Sequence, residues 1–268
     1  MNLEKIRKRI QYNGAFEPTY AVLRDLQQQF LLHVPFENLD IHMGIPLDYS
    51  SMPVFTKIVE RNRGGVCYEN NGLFYDILKA IGFDVQFIRG EMFKGLPLKN
   101  DDEHMHMALV VELEGDLYLV DVGNGKSFGD PLPIFNKAYS KGEDFEYIVD
   151  DFDGMKALYF KDANGVLTPR YVFDLSAKTR EDFRQACRYI ETSPESVFRK
   201  NTLASLYQTD GRITLAGEYF KSSNGILPCS VLLSSKEVTG SLLKKQFGII
   251  LSDEELELLE LKSSELIA

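Results

Sequence analysis

Between residues 63 and 71 the chain reads Arg-Gly-Gly-Val-Cys-Tyr-Glu-Asn-Asn, a Gly-Gly loop handing over to an apolar-periodic segment. Leu73, Phe74, Ile77, Leu78 and Ile81 recur at helical spacing, which predicts an amphipathic helix whose first turn holds Tyr68, Glu69 and Asn70. Cys67 then falls at a helix N-terminus. Unpaired backbone N–H groups and the helix dipole stabilise a thiolate there, and the thiolate is the nucleophilic form of cysteine. Gly64 and Gly65 are expected to let the backbone approach a substrate closely. The alternative is that Gly-Gly ends the preceding helix and Cys67 is a small buried hydrophobe.

The rest of the chain divides around this stretch. Leu3, Ile6 and Ile10 mark one helix, and Leu23, Leu26 and Phe30 a second that Thr19 caps and Pro35 must end. Pro53, Val54, Ile58 and Val59 supply a third. Residues 1–83 therefore read as a helical bundle presenting Cys67. Within it Glu37 and Asn38 stand among apolar neighbours, and Arg63 is the candidate counter-ion for Glu37.

After Gly82 the period changes. Residues 84–92, 105–113, 117–122, 145–149, 158–160 and 170–174 read as short strands of a barrel or curled sheet occupying 84–192. A helix over 179–191 follows, with Phe183, Ala186, Cys187 and Ile190 on one face. Residues 193–268 form a last α/β unit with a hairpin at Asp210-Gly211, a strand near 230–233 and two helices. Ser252 and Glu255 make a capping box for the final one. Cys187 and Cys229 are read as structural.

A net charge of -10 argues against non-specific nucleic-acid binding. No apolar run approaches the roughly 20 residues that span a bilayer. The N-terminal segment has no apolar signal core, so a cytoplasmic protein is expected. Three widely separated cysteines do not make a disulfide framework.

A cysteine nucleophile needs an imidazole to manage its proton and a carboxylate or amide to orient that imidazole. His33, His42, His104 and His106 are the four histidines, and the first two read as packing or surface residues. His106 leads directly into the apolar run Met107–Val111, whereas His104 follows an acidic loop. If Gly115 takes the left-handed place in a bulged turn, Glu112 pairs with Asp116 and His106 falls opposite Val122, beside Asp121. A register slip of one residue would reverse the faces. The same residues allow a lesser alternative, zinc on His104 and His106 with Cys67 or Asp121.

The match to an RGGxCxExN motif runs Arg63, Gly64, Gly65, Cys67, Glu69 and Asn71 without a miss. Pro35-Phe36-Glu37-Asn38-Leu39-Asp40, His106-x-x-Leu109-x-Val111, Leu119-Val120-Asp121-Val122-Gly123, Ser193-Pro194-x-Ser196-x-Phe198 and Gly211-Arg212-Ile213-Thr214-Leu215 follow in order. On these motifs, which cover nearly the whole chain, the sequence resembles the bacterial-type arylamine N-acetyltransferases.

The resemblance implies an α+β fold with a papain/transglutaminase-like cysteine core: N-terminal helical bundle, antiparallel β-barrel and C-terminal α/β lid. It also implies ping-pong transfer of an acetyl group from acetyl-CoA through a Cys67 thioester to an arylamine, arylhydrazine or arylhydroxylamine. In that scheme Cys67 is the nucleophile, His106 its base and Asp121 the orienting carboxylate, with Glu37 and Arg63 a buried supporting pair. No metal is expected, and no nucleic-acid or membrane partner. CoA would lie between barrel and lid, and Gly123, Gly125, Lys126 and Ser127 are its candidate contacts. Two positions depart from the family: Asn124 stands where an aromatic is usual and Met105 where a threonine is frequent. The rival readings are a cysteine-dependent amide hydrolase or transglutaminase-like enzyme on the same triad, and a scaffold without chemistry.

Overall fold

The computed structural model describes residues 1–126, 128–142, 145–162, 164–209, 211–223 and 229–262. Five helices precede the first long strand: α1 (Leu3–Arg9), α2 (Tyr20–His33), α3 (Leu39–Met43), α4 (Ser51–Phe55) and α5 (Cys67–Ile81). The Thr19 hydroxyl accepts the Val22 N–H and caps α2. A π-helical turn, Thr56–Glu60, continues α4. Leu73, Phe74, Ile77 and Leu78 of α5 are buried against Leu23, Leu26 and Phe30 of α2 and against Val54 and Ile58. Each such side chain contributes roughly 1.5–3 kcal/mol by leaving water, which fixes α5 and hence Cys67.

Strands β2 (Asp84–Met92), β3 (Met105–Leu113), β4 (Asp116–Val120), β5 (Leu132–Pro133), β6 (Ser140–Lys141), β7 (Glu146–Phe152), β8 (Met155–Lys161) and β9 (Leu167–Phe173) follow β1 (Phe36–Glu37) in the chain. β2 to β9 form one antiparallel, nearly closed sheet in the order β5-β4-β3-β2-β9-β8-β7-β6. Side chains alternate along β3. Met107, Leu109 and Val111 face the helical core, while Ala108 and Val110 join Ile88, Leu119, Leu158, Tyr171 and Phe173 inside the barrel. His106 shares the parity of the inward row.

The β3–β4 register differs from expectation. Leu113 pairs with Asp116 and Leu109 with Val120, one residue away from the predicted pairing of Glu112 with Asp116. Glu114 (φ 53°) and Gly115 (φ 86°) are both left-handed, so they make a two-residue hairpin turn in place of a bulged one. This register puts Asp121 on the same face as His106, whereas the expected one would have turned it away.

A second antiparallel sheet joins β1 to β10 (Leu203–Gln208), β11 (Gly211–Ala216), β12 (Tyr219–Ser222) and β13 (Cys229–Leu232). Phe36 pairs with Ser205 and Glu37 with Ala204, so the C-terminal sheet is stitched to the N-terminal helices. Gln208 faces Gly211 at the predicted hairpin, of which Asp210 lies outside the described residues, as does the Cys229 side chain. The helix α6 (Arg184–Thr192) buries Ala186, Cys187 and Ile190 in the helical core, although its sequence follows the barrel. Among the described residues no helix is long and apolar enough to cross a membrane.

Candidate active site

Cys67 is the first residue of α5 and is buried. The preceding glycines do something other than meet a substrate. A Cβ on Gly64 would stand 1.9 Å from the Pro35 carbonyl oxygen, and one on Gly65 2.6 Å from a Glu69 carboxylate oxygen. The loop thus threads between Pro35 and Glu69 with no room for side chains, and the close approach is to the chain itself. Glu69 closes the helix start by accepting the Val66 N–H at 3.0 Å.

Beneath this loop lies a charged cluster. Arg63 donates from Nε to Glu37 Oε1 (2.9 Å) and from Nη2 to Glu37 Oε2 (3.1 Å) and Asp40 Oδ1 (2.8 Å). Lys57, carried by the π-helical turn, lies 2.8 Å from Asp40 and 2.7 Å from Glu69. Burial acts to lower the Arg63 pKa, but the Glu37 and Asp40 charges outweigh it and hold the guanidinium well above its ordinary range. Burial pushes the Glu69 carboxyl up even with Lys57 beside it. The expected Glu37–Arg63 pair is present. Lys57 and Asp40 join that pair without a separate sequence signal, although Asp40 closes the Pro35–Asp40 motif and Lys57 interrupts an apolar helix face.

His106, the second residue of β3, lies with Nε2 2.8 Å from Asp121 Oδ2. The Cys67 side chain is near enough to the imidazole to act on its charge. Burial acts to lower the His106 pKa, but the Asp121 charge and hydrogen bond, helped by Cys67, raise it to about 10. Asp121 is fully buried. Burial acts to raise its pKa, while His106, Asn71 and the Gly123 N–H hold it below the usual carboxylate range.

Among the described residues, donors from three other elements of the chain join His106 on the Asp121 carboxylate. Asn71 Nδ2 (2.9 Å) and the Gly123 N–H (2.9 Å) reach Oδ1, and the Tyr171 hydroxyl (3.1 Å) joins His106 at Oδ2. Asn71 also donates to the Met107 carbonyl and accepts the Val122 N–H, so it ties α5 to both barrel strands. Gly123 is held tightly: a Cβ there would lie 2.7 Å from Cys67 Cα. The sequence carried Asn71 in its motif without a role, and gave no signal for Tyr171, whose part depends on pairing across strands.

The other predicted positions fall around this centre. A Cβ on Gly125 would be 3.7 Å from the Phe36 ring, and exposed Lys126 stands 5.8 Å from the Phe145 ring centroid. Ser127 lies outside the described residues. Met105 offers its carbonyl to the Tyr68 hydroxyl. Asn124 accepts from Arg170 Nε at 3.1 Å. His104 bonds Asp101 at 2.7 Å, His33 bonds the Gln29 carbonyl and His42 bonds the Asn201 carbonyl. Cys187 is buried in the helical core, and burial pushes its thiol up.

A buried cysteine beside an imidazole that is itself bonded to a buried carboxylate can carry nucleophilic acyl chemistry. Comparison with known proteins agrees with that chemistry. A family model described as N-acetyltransferase matches residues 19–256. A pineal gland arylamine N-acetyltransferase isozyme of Gallus gallus is 33% identical, over 94% of this chain and 95% of its own. The arylamine N-acetyltransferase of Mycobacterium bovis is 32% identical, over 97% and 94%. The structure of Mycobacterium marinum arylamine N-acetyltransferase in complex with CoA superposes with a TM-score of 0.85 at 28% identity, covering 97% of this chain and 100% of that one. The chain therefore belongs to the arylamine N-acetyltransferase family.

Proposed function

We propose that this protein transfers an acetyl group from acetyl-CoA to the nitrogen of an arylamine, arylhydrazine or arylhydroxylamine, through a thioester on Cys67. The 2.8 Å His106–Asp121 contact next to a cysteine at a helix start carries the reading. The imidazolium stabilises a thiolate at Cys67, which attacks the thioester carbonyl of acetyl-CoA. The new C–S bond forms, the bond to CoA breaks, and the departing CoA thiolate takes the His106 proton. The amine then attacks the acetyl-cysteine; its N–C bond forms, Cys67 leaves as thiolate and His106 accepts the amine proton. Asp121 fixes the imidazole in both half-reactions. The backbone N–H groups that open α5 lack intrahelical acceptors and suit the tetrahedral oxyanion.

The division into a bundle (1–83), a barrel unit (84–192) and a lid (193–268), and the papain-like nature of the cysteine core, belong to the same proposal. Gly123, Gly125, Lys126 and Ser127 are the proposed CoA loop, with exposed Lys126 the candidate phosphate contact. Initial rates with acetyl-CoA and a neutral aniline test the scheme. Parallel double-reciprocal lines and an inactive Cys67→Ala variant are expected. Transfer by that variant, or intersecting lines, would overturn it.

A further inference from the structure

A cavity of about 700 Å³ lies between α1, α2, the Thr56–Glu60 turn, β10 and the π-helical turn Leu243–Phe247, and Cys67, His106 and Asp121 are not among its lining residues. Its size is within the roughly 300–1,000 Å³ of small-molecule sites. Its two sides differ in chemistry. Leu32, Val59, Leu206 and Phe247 supply an apolar wall. Lys5, Lys8 and Arg9, three and four residues apart on α1 and so on one face of it, supply cations to the other side in a chain whose net charge is -10.

These cations are not all answered by the chain. Lys5 lies 2.6 Å from Glu60, which also lines the cavity, so those two charges cancel. Glu4, the other acid of α1, pairs with Arg7. Among the described residues that leaves Lys8 and Arg9 without a carboxylate. Arg9 is half-buried and donates to three main-chain carbonyls: from Nε to Ile58 (2.7 Å), from Nη2 to Arg63 (2.9 Å) and from Nη1 to His33. Those bonds fix the guanidinium without neutralising it, and two of its five N–H groups remain. Burial lowers its pKa to about 10, with no acidic neighbour to offset the effect. A guanidinium already held in place loses little freedom when an anion binds.

We propose that this cavity binds a small organic phosphate, with the phosphate on Lys8 and Arg9 and an apolar or aromatic body against Leu32 and Phe247. A phosphate presents several oxygens to the guanidinium fork and to the ammonium beside it. The apolar wall would stay wet under a bare anion, so the body belongs to the ligand. The site is distinct from the proposed CoA loop and does not depend on the acetyl-transfer reading. It is nevertheless joined to the reactive loop, because the Arg63 carbonyl that Arg9 holds directly precedes Gly64-Gly65.

Titration calorimetry of the whole chain with phenyl phosphate, inorganic phosphate and benzyl alcohol tests the proposal. Phenyl phosphate should bind at one site and raise the Tm. Inorganic phosphate should bind at least roughly 10-fold more weakly, because it leaves the apolar wall uncovered, and benzyl alcohol should not bind. Lys8→Glu, at an exposed position, should weaken phenyl phosphate roughly 10–100-fold, the size of a lost charge-assisted hydrogen bond. Arg9→Lys, which keeps the charge and loses the fork, should weaken it less; if that variant does not fold, Lys8→Glu still decides. Lys126→Glu, in the proposed CoA loop, should leave phenyl phosphate binding unchanged. No saturable binding of phenyl phosphate, binding unaltered by Lys8→Glu, or binding lost in Lys126→Glu instead would overturn the proposal. Inorganic phosphate bound as tightly as phenyl phosphate would overturn it as well, since the free anion would then be the ligand.

Discussion

Arg63 meets Glu37 at 2.9 Å and Asp40 at 2.8 Å, whereas among the described residues Arg170 hydrogen-bonds the side-chain and backbone oxygens of Asn124. The first guanidinium belongs to a cluster in which Lys57 completes the bonding of Asp40 and Glu69, so the charges are answered from within. The second has no such answer. Their pKa values move in opposite directions for that reason: burial lowers both, but Glu37 and Asp40 reverse the effect at Arg63, and nothing comparable does so at Arg170. A charge closed by carboxylates of its own chain holds a loop in place, whereas a charge bonded to a neutral amide keeps the cost of its burial.

The two arginines should differ most in what their removal costs. Arg63→Met leaves Glu37 and Asp40 buried without their cation and should cost about 3–5 kcal/mol of stability. Arg170→Met leaves two oxygens of Asn124 without their donor but no buried charge without its partner, and should cost less, about 1–3 kcal/mol. Urea denaturation of both variants measures the difference. Equal losses would mean that the two arginines do the same work.

A smaller effect comes from pH. The raised His106 pKa means that the folded protein holds a proton the unfolded chain releases above about 6.5. The stability from this group is therefore fully present below about 6.5 and is lost as pH rises through about 10. Asp121, shifted down, contributes stability present above about 3.9 and lost as pH falls through its folded value. The Tm deficit of His106→Gln should shrink between pH 6.5 and pH 10, the range set by these values. The Arg63→Met deficit should stay level there, because a guanidinium does not titrate in that range. A His106→Gln deficit that is flat with pH would count against a charged imidazole at Cys67.

What the sequence disclosed depended on how local each feature was. The α5 helix and its buried face follow from spacing alone, and the Glu37–Arg63 pair from two charges among apolar neighbours. The Asp121 contact was anticipated with the wrong register, because Glu114 adopts a left-handed conformation that a non-glycine residue seldom takes. Gly64 and Gly65 marked a tight place, but that Pro35 and Glu69 fill it is a tertiary fact. Tyr171 and Arg170 had no signal, since their partners lie about 50 residues away across the barrel. The departure at Asn124 was visible, though its bond to Arg170 was not.

If Cys67 takes the acetyl group, purified protein incubated with acetyl-CoA and no acceptor will carry it, and an intact mass taken beside Cys67→Ala shows whether it does. One acetyl group on the parent and none on the variant is the predicted result. An unmodified parent with acetyl-CoA left unconsumed, or an equal adduct on the variant, would contradict it.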